Sequence, residues 1–180
     1  MRGLIKFLRY AVWPLCFVIA VFLPGQQKSE DPIQLLNRLA GDWVLEGILG
    51  GKQVTHDVTA EWILNHEYLL LHEVSRDRTK SGDATYEAII LFSWDTKANE
   101  YRCLWLDNTD GGGLSVPIAR AKQSDESIQI AFPAPYESLH TAFKYDKRTG
   151  TWQLLIDDVK DGRPHRFGDA VLRRSNNPDR

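Results

Sequence analysis

An all-β fold is what this sequence predicts: an up-and-down antiparallel barrel of about ten short strands, lipocalin-like in plan, behind a short N-terminal helix. Three observations predict it. From Asp42 onward the hydrophobic period is two, in short runs divided by turn residues. Nearly every gap between runs is hairpin-short, so neighbouring runs pair in order, and no long amphipathic helix follows Gly41. Gly41-Asp42-Trp43 opens the first run and Arg173-Arg174 closes the last. In a closed barrel those two strands are neighbours, and an indole on one can stack beneath a guanidinium on the other. Closure also removes the unpaired edges that an open meander would expose.

The chain begins with a leader. Arg2, Lys6 and Arg9 form a positive region without an acid, Tyr10 to Leu23 is apolar, and Pro24-Gly25 breaks the run before Gln26-Gln27-Lys28-Ser29. This pattern reads as a secretory signal peptide over residues 1–25. The rival is an uncleaved membrane anchor, since Leu23 stands where a small residue is preferred for cutting after Gly25. The apolar stretch is shorter than the ~20 residues a spanning helix needs, which favours export to the periplasm or beyond. Trp13-Pro14-Leu15 ahead of Cys16 are too bulky for a lipoprotein signal. Cys103 is then the one thiol of the mature part, so no internal disulfide forms. Of the 22 Lys and Arg, three lie in the leader, against 24 Asp and Glu outside it. An acidic mature chain without a basic stripe excludes nucleic-acid binding.

A linker over 26–33, a barrel over 34–174 and a disordered tail over 175–180 complete the organisation. Asp31-Pro32 starts a helix, because Asp caps free amides and Pro suits the first helical position. Ile33, Leu36 and Leu39 recur at helical spacing and Gly41 stops the turn, giving a plug for one end. Strands follow at Trp43–Ile48, Val54–Ile63, Tyr68–Ser75, Tyr86–Trp94 and Glu100–Asp107. Five more follow at Ile118–Lys122, Ser127–Phe132, Leu139–Tyr145, Thr151–Asp157 and His165–Arg173. In the second strand Val54, His56, Val58, Ala60 and Trp62 share the inward face, and Thr55, Asp57, Thr59 and Glu61 the solvent face. In the third, His72 alternates with Leu70 and Val74, and Glu73 with Leu69 and Leu71. Both sets are largely apolar, so alternation does not decide which one faces inward. The longest connections, Arg76–Thr85 and Asn108–Pro117, are polar and belong at an open mouth.

Gly41-x-Trp43, Tyr86-Glu87-x-Ile89, Trp94-Asp95, Tyr101, Trp105-Leu106-Asp107-Asn108 and the late Arg173 resemble a bacterial family of exported, lipocalin-like barrels in the calycin superfamily. The family's function is not established, and the resemblance spans Leu35 to Arg174. It implies a barrel whose floor is closed by Gly41, Trp43 and Arg173 or Arg174. Intracellular fatty-acid carriers are similar in strand count and hold a carboxylate with Arg-x-Tyr on the last strand. Here that position reads Arg173-Arg174-Ser175, so the clamp does not carry over. Haem-binding barrels of the nitrobindin kind resemble the Gly-x-Trp start. Their motif continues through an aromatic-Pro step that Val44-Leu45-Glu46-Gly47-Ile48 lacks, which argues against haem.

His56, Trp62, His72 and Trp105 are the candidate ligand-binding residues. A neutral imidazole among apolar neighbours can orient a ligand, and strand-borne indoles make rigid apolar walls. The bland alternative is a core: His56 bonded to a water or neighbouring side chain, the indoles simply packed. No two His share the i, i+2 spacing that strand-borne metal ligands need. Asp107 to Gly112 reads as an Asx and Gly turn rather than a calcium loop, having no terminal bidentate Glu. Gly113-Leu114-Ser115-Val116-Pro117 lacks the last Gly of a nucleophile elbow. The Cys103 thiol reads as packed and inert. No cofactor, metal or catalytic constellation is expected. The expected function is binding of a small apolar or amphipathic molecule for carriage, storage or sensing. The alternatives are a barrel isomerase or lyase with His56 or His72 as general base, a haem protein, and a ligand-free envelope interaction module.

Overall fold

Ten antiparallel strands close into a barrel in a computed structural model of the chain, which describes residues 31–109 and 113–176. Residues 1–30 and 177–180, which hold the expected leader and most of the expected tail, lie outside the described part. The strands are β1 (Gly41–Leu49), β2 (Lys52–Ile63), β3 (Tyr68–Ser75), β4 (Glu87–Asp95) and β5 (Glu100–Asp107). They continue as β6 (Ala119–Ser124), β7 (Ser127–Ala131), β8 (Leu139–Asp146), β9 (Thr151–Lys160) and β10 (Arg163–Arg174). Each pairs with its neighbours in sequence, and β1 pairs with β10 to complete the ring. Across that last junction Trp43 stands opposite Arg174, Val44 opposite Arg173 and Leu45 opposite Leu172. The ring admits no side chain at Gly47, where a methyl group would lie 2.3 Å from the Asp169 carbonyl oxygen on β10.

One helix, α1 (Pro32–Leu39), plugs an end. It starts as its sequence dictates: Asp31 Oδ1 accepts the Ile33 amide at 2.9 Å. Eight residues form too short a helix to stand alone in water. Burial of Leu35, Leu36 and Leu39 holds it in the barrel. Its last carbonyls have no partners within the helix. The barrel supplies them: Trp43 Nε1 donates to the Leu39 oxygen at 2.7 Å, and Trp152 Nε1 to the Arg38 oxygen at 3.4 Å. Arg174 donates to the Ala40 oxygen at 2.7 Å and to the Arg38 oxygen at 3.1 Å.

The Arg174 guanidinium carbon also lies 3.8 Å from the centre of the Trp43 ring system, so the indole sits beneath a cation as the sequence led us to expect. Gly41 makes this possible. Its φ of +122° is left to glycine, and a methyl group there would fall 1.9 Å from Arg174 Nη1. Trp43, Trp152 and Tyr101, all bonded to helix carbonyls, fill the end of the barrel at the helix, and Phe92 and Phe143 pack edge to face in the buried core. Cys103, fully buried, is part of this core, and burial pushes its thiol well above the ordinary range.

Candidate functional site

The opposite half of the barrel is hollow. A cavity of about 900 Å³ opens between the β1–β2, β3–β4, β5–β6, β7–β8 and β9–β10 connections. The long β3–β4 connection is folded onto itself over this mouth, with Arg78 bridging Ala84 and the Thr79 amide bonded to the Asp83 oxygen at 2.8 Å. Asp107 Oδ1 accepts the Thr109 amide at 2.8 Å, which makes the Asx turn read from the sequence; residues 110–112 lie outside the described part. The walls are mainly apolar, with Val54 on β2, Leu154 and Ile156 on β9, Leu139 on β8, and Phe132 just beyond β7.

A polar cluster interrupts that wall. β2 and β3 pair so that Val58 stands opposite Glu73 and His56 opposite Ser75, which puts all four on one face. His56 and Glu73 are 2% and 3% exposed, and both line the cavity. His56 Nδ1 lies 2.5 Å from Glu73 Oε1. No described group bonds to His56 Nε2 or to Glu73 Oε2. The imidazole stacks on Tyr86, ring centres 5.4 Å apart and planes 19° apart. Trp105 Nε1 donates to the Tyr86 hydroxyl oxygen at 3.2 Å, and Trp105 packs edge-on against Phe132. Burial pushes the Tyr86 phenol far above its usual range, and the charges of Glu73 and then Asp107 add to the effect. The phenol is therefore a neutral donor at any physiological pH. Thr141, on β8, is 4% exposed and lines the same cavity, with no partner for its hydroxyl among the described residues.

Of the four residues singled out as ligand-binding from sequence, His56 and Trp105 line the cavity. Trp62 shares the inward face but sits at the helix end, where its Nε1 donates to Asn37 Oδ1 at 2.8 Å. It reinforces the plug and is no part of the cavity wall. His72 faces outward, because the buried alternation on β3 takes Leu69, Leu71, Glu73 and Ser75. Its Nε2 meets Glu87 Oε1 at 2.7 Å on the outer surface, so it cannot serve as a cavity base. Of the two terminal arginines, Arg174 lies on Trp43, while Arg173 turns outward to Glu46 at 3.8 Å.

Sequence reasoning missed Glu73, Tyr86 and Thr141. A signal for Glu73 was present: with strand ends at Ile63 and Tyr68, the hairpin register sets Val58 against Glu73 and passes on the inward face of β2. Among the described residues no group of three or more His, Cys, Asp or Glu is placed to hold a metal ion. The sequence matches no protein-family model and no curated protein.

Proposed function

We propose that this chain is an exported, lipocalin-like barrel of the calycin kind that binds a small amphipathic molecule in its cavity, for carriage, storage or sensing. The observation that carries the reading is the 900 Å³ hollow itself, lined by apolar side chains around one buried polar cluster. Ligand sites have this size and this makeup, apolar walls giving affinity and a few converging polar groups fixing orientation. His56, Glu73 and Thr141 all line this hollow, where their polar atoms can meet a ligand's polar end. Export rests on the leader: Arg2, Lys6 and Arg9, then the apolar Tyr10–Leu23 run.

Mass spectrometry of the intact protein purified from its host, before and after denaturation, tests both parts. The expected results are a mass lacking residues 1–25 and an organic molecule released on unfolding. A mature protein that releases nothing, and takes up no amphiphile on titration, would refute the binding reading. A Soret band would give haem as the occupant instead.

One observation favours a second reading, an isomerase or lyase. A carboxylate on Nδ1 orients an imidazole, and His56 lines the cavity with Nδ1 on Glu73 and its ring stacked on Tyr86, whose phenol is neutral. On that reading His56→Ala abolishes turnover in a broad substrate screen while the protein stays folded. On the carrier reading there is no turnover to lose.

A further inference from the structure

We propose that the polar end of the ligand is a protonated amine seated against Glu73, with its apolar body along Val54, Leu154 and Ile156. This rests on the binding reading and adds the chemical class of the ligand.

The balance of charge in the cavity points to a cation. Four carboxylates line the cavity and its mouth, Glu73, Asp77, Asp107 and Asp158, against a single ammonium, Lys52, and no guanidinium. Among the described residues Asp158 is offset by Lys160 at 2.8 Å and Glu73 meets only the His56 imidazole. A ligand carboxylate would find no guanidinium to receive it and would face Glu73 instead.

The hydrogen-bonding inventory agrees. His56 Nδ1 is engaged with Glu73 Oε1, while His56 Nε2 and Glu73 Oε2 have no described partner, so the pair has places left for a ligand's polar end. An alkylammonium brings three donors to such a pair, where an alcohol brings one. Glu73 is 3% exposed, and among the described residues no Lys or Arg pairs with it, so a ligand cation brings a compensating charge that a buried carboxylate lacks here. Tyr86, Trp105 and Phe132 line the same cavity, and aromatic rings attract an ammonium through their quadrupoles.

Calorimetric titration of the full chain at pH 7 with octylamine, octanol and sodium octanoate decides the matter. The three share one apolar body and differ in the head group; the amine is protonated at this pH. The expected order is octylamine tighter than octanol by at least about tenfold, the yield of one charge-assisted hydrogen bond, with octanoate weakest. Glu73→Gln should remove the preference for the amine over octanol. Equal affinity for amine and alcohol, an amine preference that survives Glu73→Gln, or octanoate binding best would each overturn the assignment while leaving the cavity reading intact. Failure of all three probes would overturn the cavity reading, and this proposal with it. If Glu73→Gln does not fold, the wild-type ranking still decides. Asp107→Asn at the mouth then gives the second variant, with a smaller loss expected for the amine and none for octanol.

Discussion

A methyl group at position 41 would fall 1.9 Å from Arg174 Nη1, so the glycine of Gly-x-Trp and the arginine at the far end of the chain are one feature. Gly41→Ala must displace the guanidinium, which forfeits its bonds to two helix carbonyls and its place over Trp43, and must also hold alanine at φ +122°. Strain and lost charge-assisted bonds together come to about 3 kcal/mol, or a melting temperature lower by roughly 6–12 °C. Arg174→Ala should cost nearly as much. Gly41→Ala added to Arg174→Ala should cost only the backbone strain, and a fully additive double mutant would show that the glycine serves something else. Arg173→Ala provides the control. Its contact to Glu46 is 3.8 Å between half-exposed side chains, so the expected change is within about 0.5 kcal/mol.

The thinnest junction of the ring lies between β5 and β6, whose ladder holds only Tyr101–Ala121, Arg102–Arg120 and Cys103–Ala119. Its central pair sets two cations opposite each other, which destabilises a sheet unless acids intervene. Glu100 intervenes: its carboxylate takes Arg120 Nε at 2.8 Å and Arg102 Nη1 at 3.1 Å. The Arg120 bond, ahead of the charges around it, holds the Glu100 carboxyl below its ordinary value. A carboxyl depressed in the fold adds stability that is complete above its unfolded pKa, about 4.3, and is lost as pH falls through the lower folded value. The melting temperature should therefore fall on acidification below about pH 4, with a shallower fall in Glu100→Gln. Amide exchange over Ala119–Ser124 should quicken in the same pH range, and identical acid limbs for the two proteins would refute the role given to Glu100. None of this coupling was legible in the sequence, although the strands were. Period two made Val54–Trp62 readable because Thr55, Asp57, Thr59 and Glu61 are polar. It failed at Tyr68–Ser75, where both faces are largely apolar and only the pairing with β2 settles the matter. The indole bonds to the helix carbonyls join residues as distant as Arg38 and Trp152, and such bonds leave no local pattern.

At the scale of the whole barrel, alternation tells which face a side chain is on but not how high it stands along the axis. Height depends on strand tilt and stagger. That is why Trp62 and His56, on one face of one strand, part company: the indole is at the plug and the imidazole in the hollow. The division into a filled half and a hollow half is therefore a property of the closed ring, and it yields a test of the molecule as a container. Thr141 faces the hollow from β8, and its hydroxyl has no described partner to lose. Thr141→Trp thus places an indole in a space of about 900 Å³ without displacing packed neighbours. Overpacking a filled core costs about 1–3 kcal/mol, whereas filling a void should leave the melting temperature within roughly 3 °C of wild type or raise it. The same indole takes up part of the hollow, so on the binding reading a variant purified from the host should carry less cargo and should bind octylamine more weakly. A folded Thr141→Trp protein that keeps both would show that the hollow is not where the ligand sits. A variant that unfolds would show that the hollow is filled.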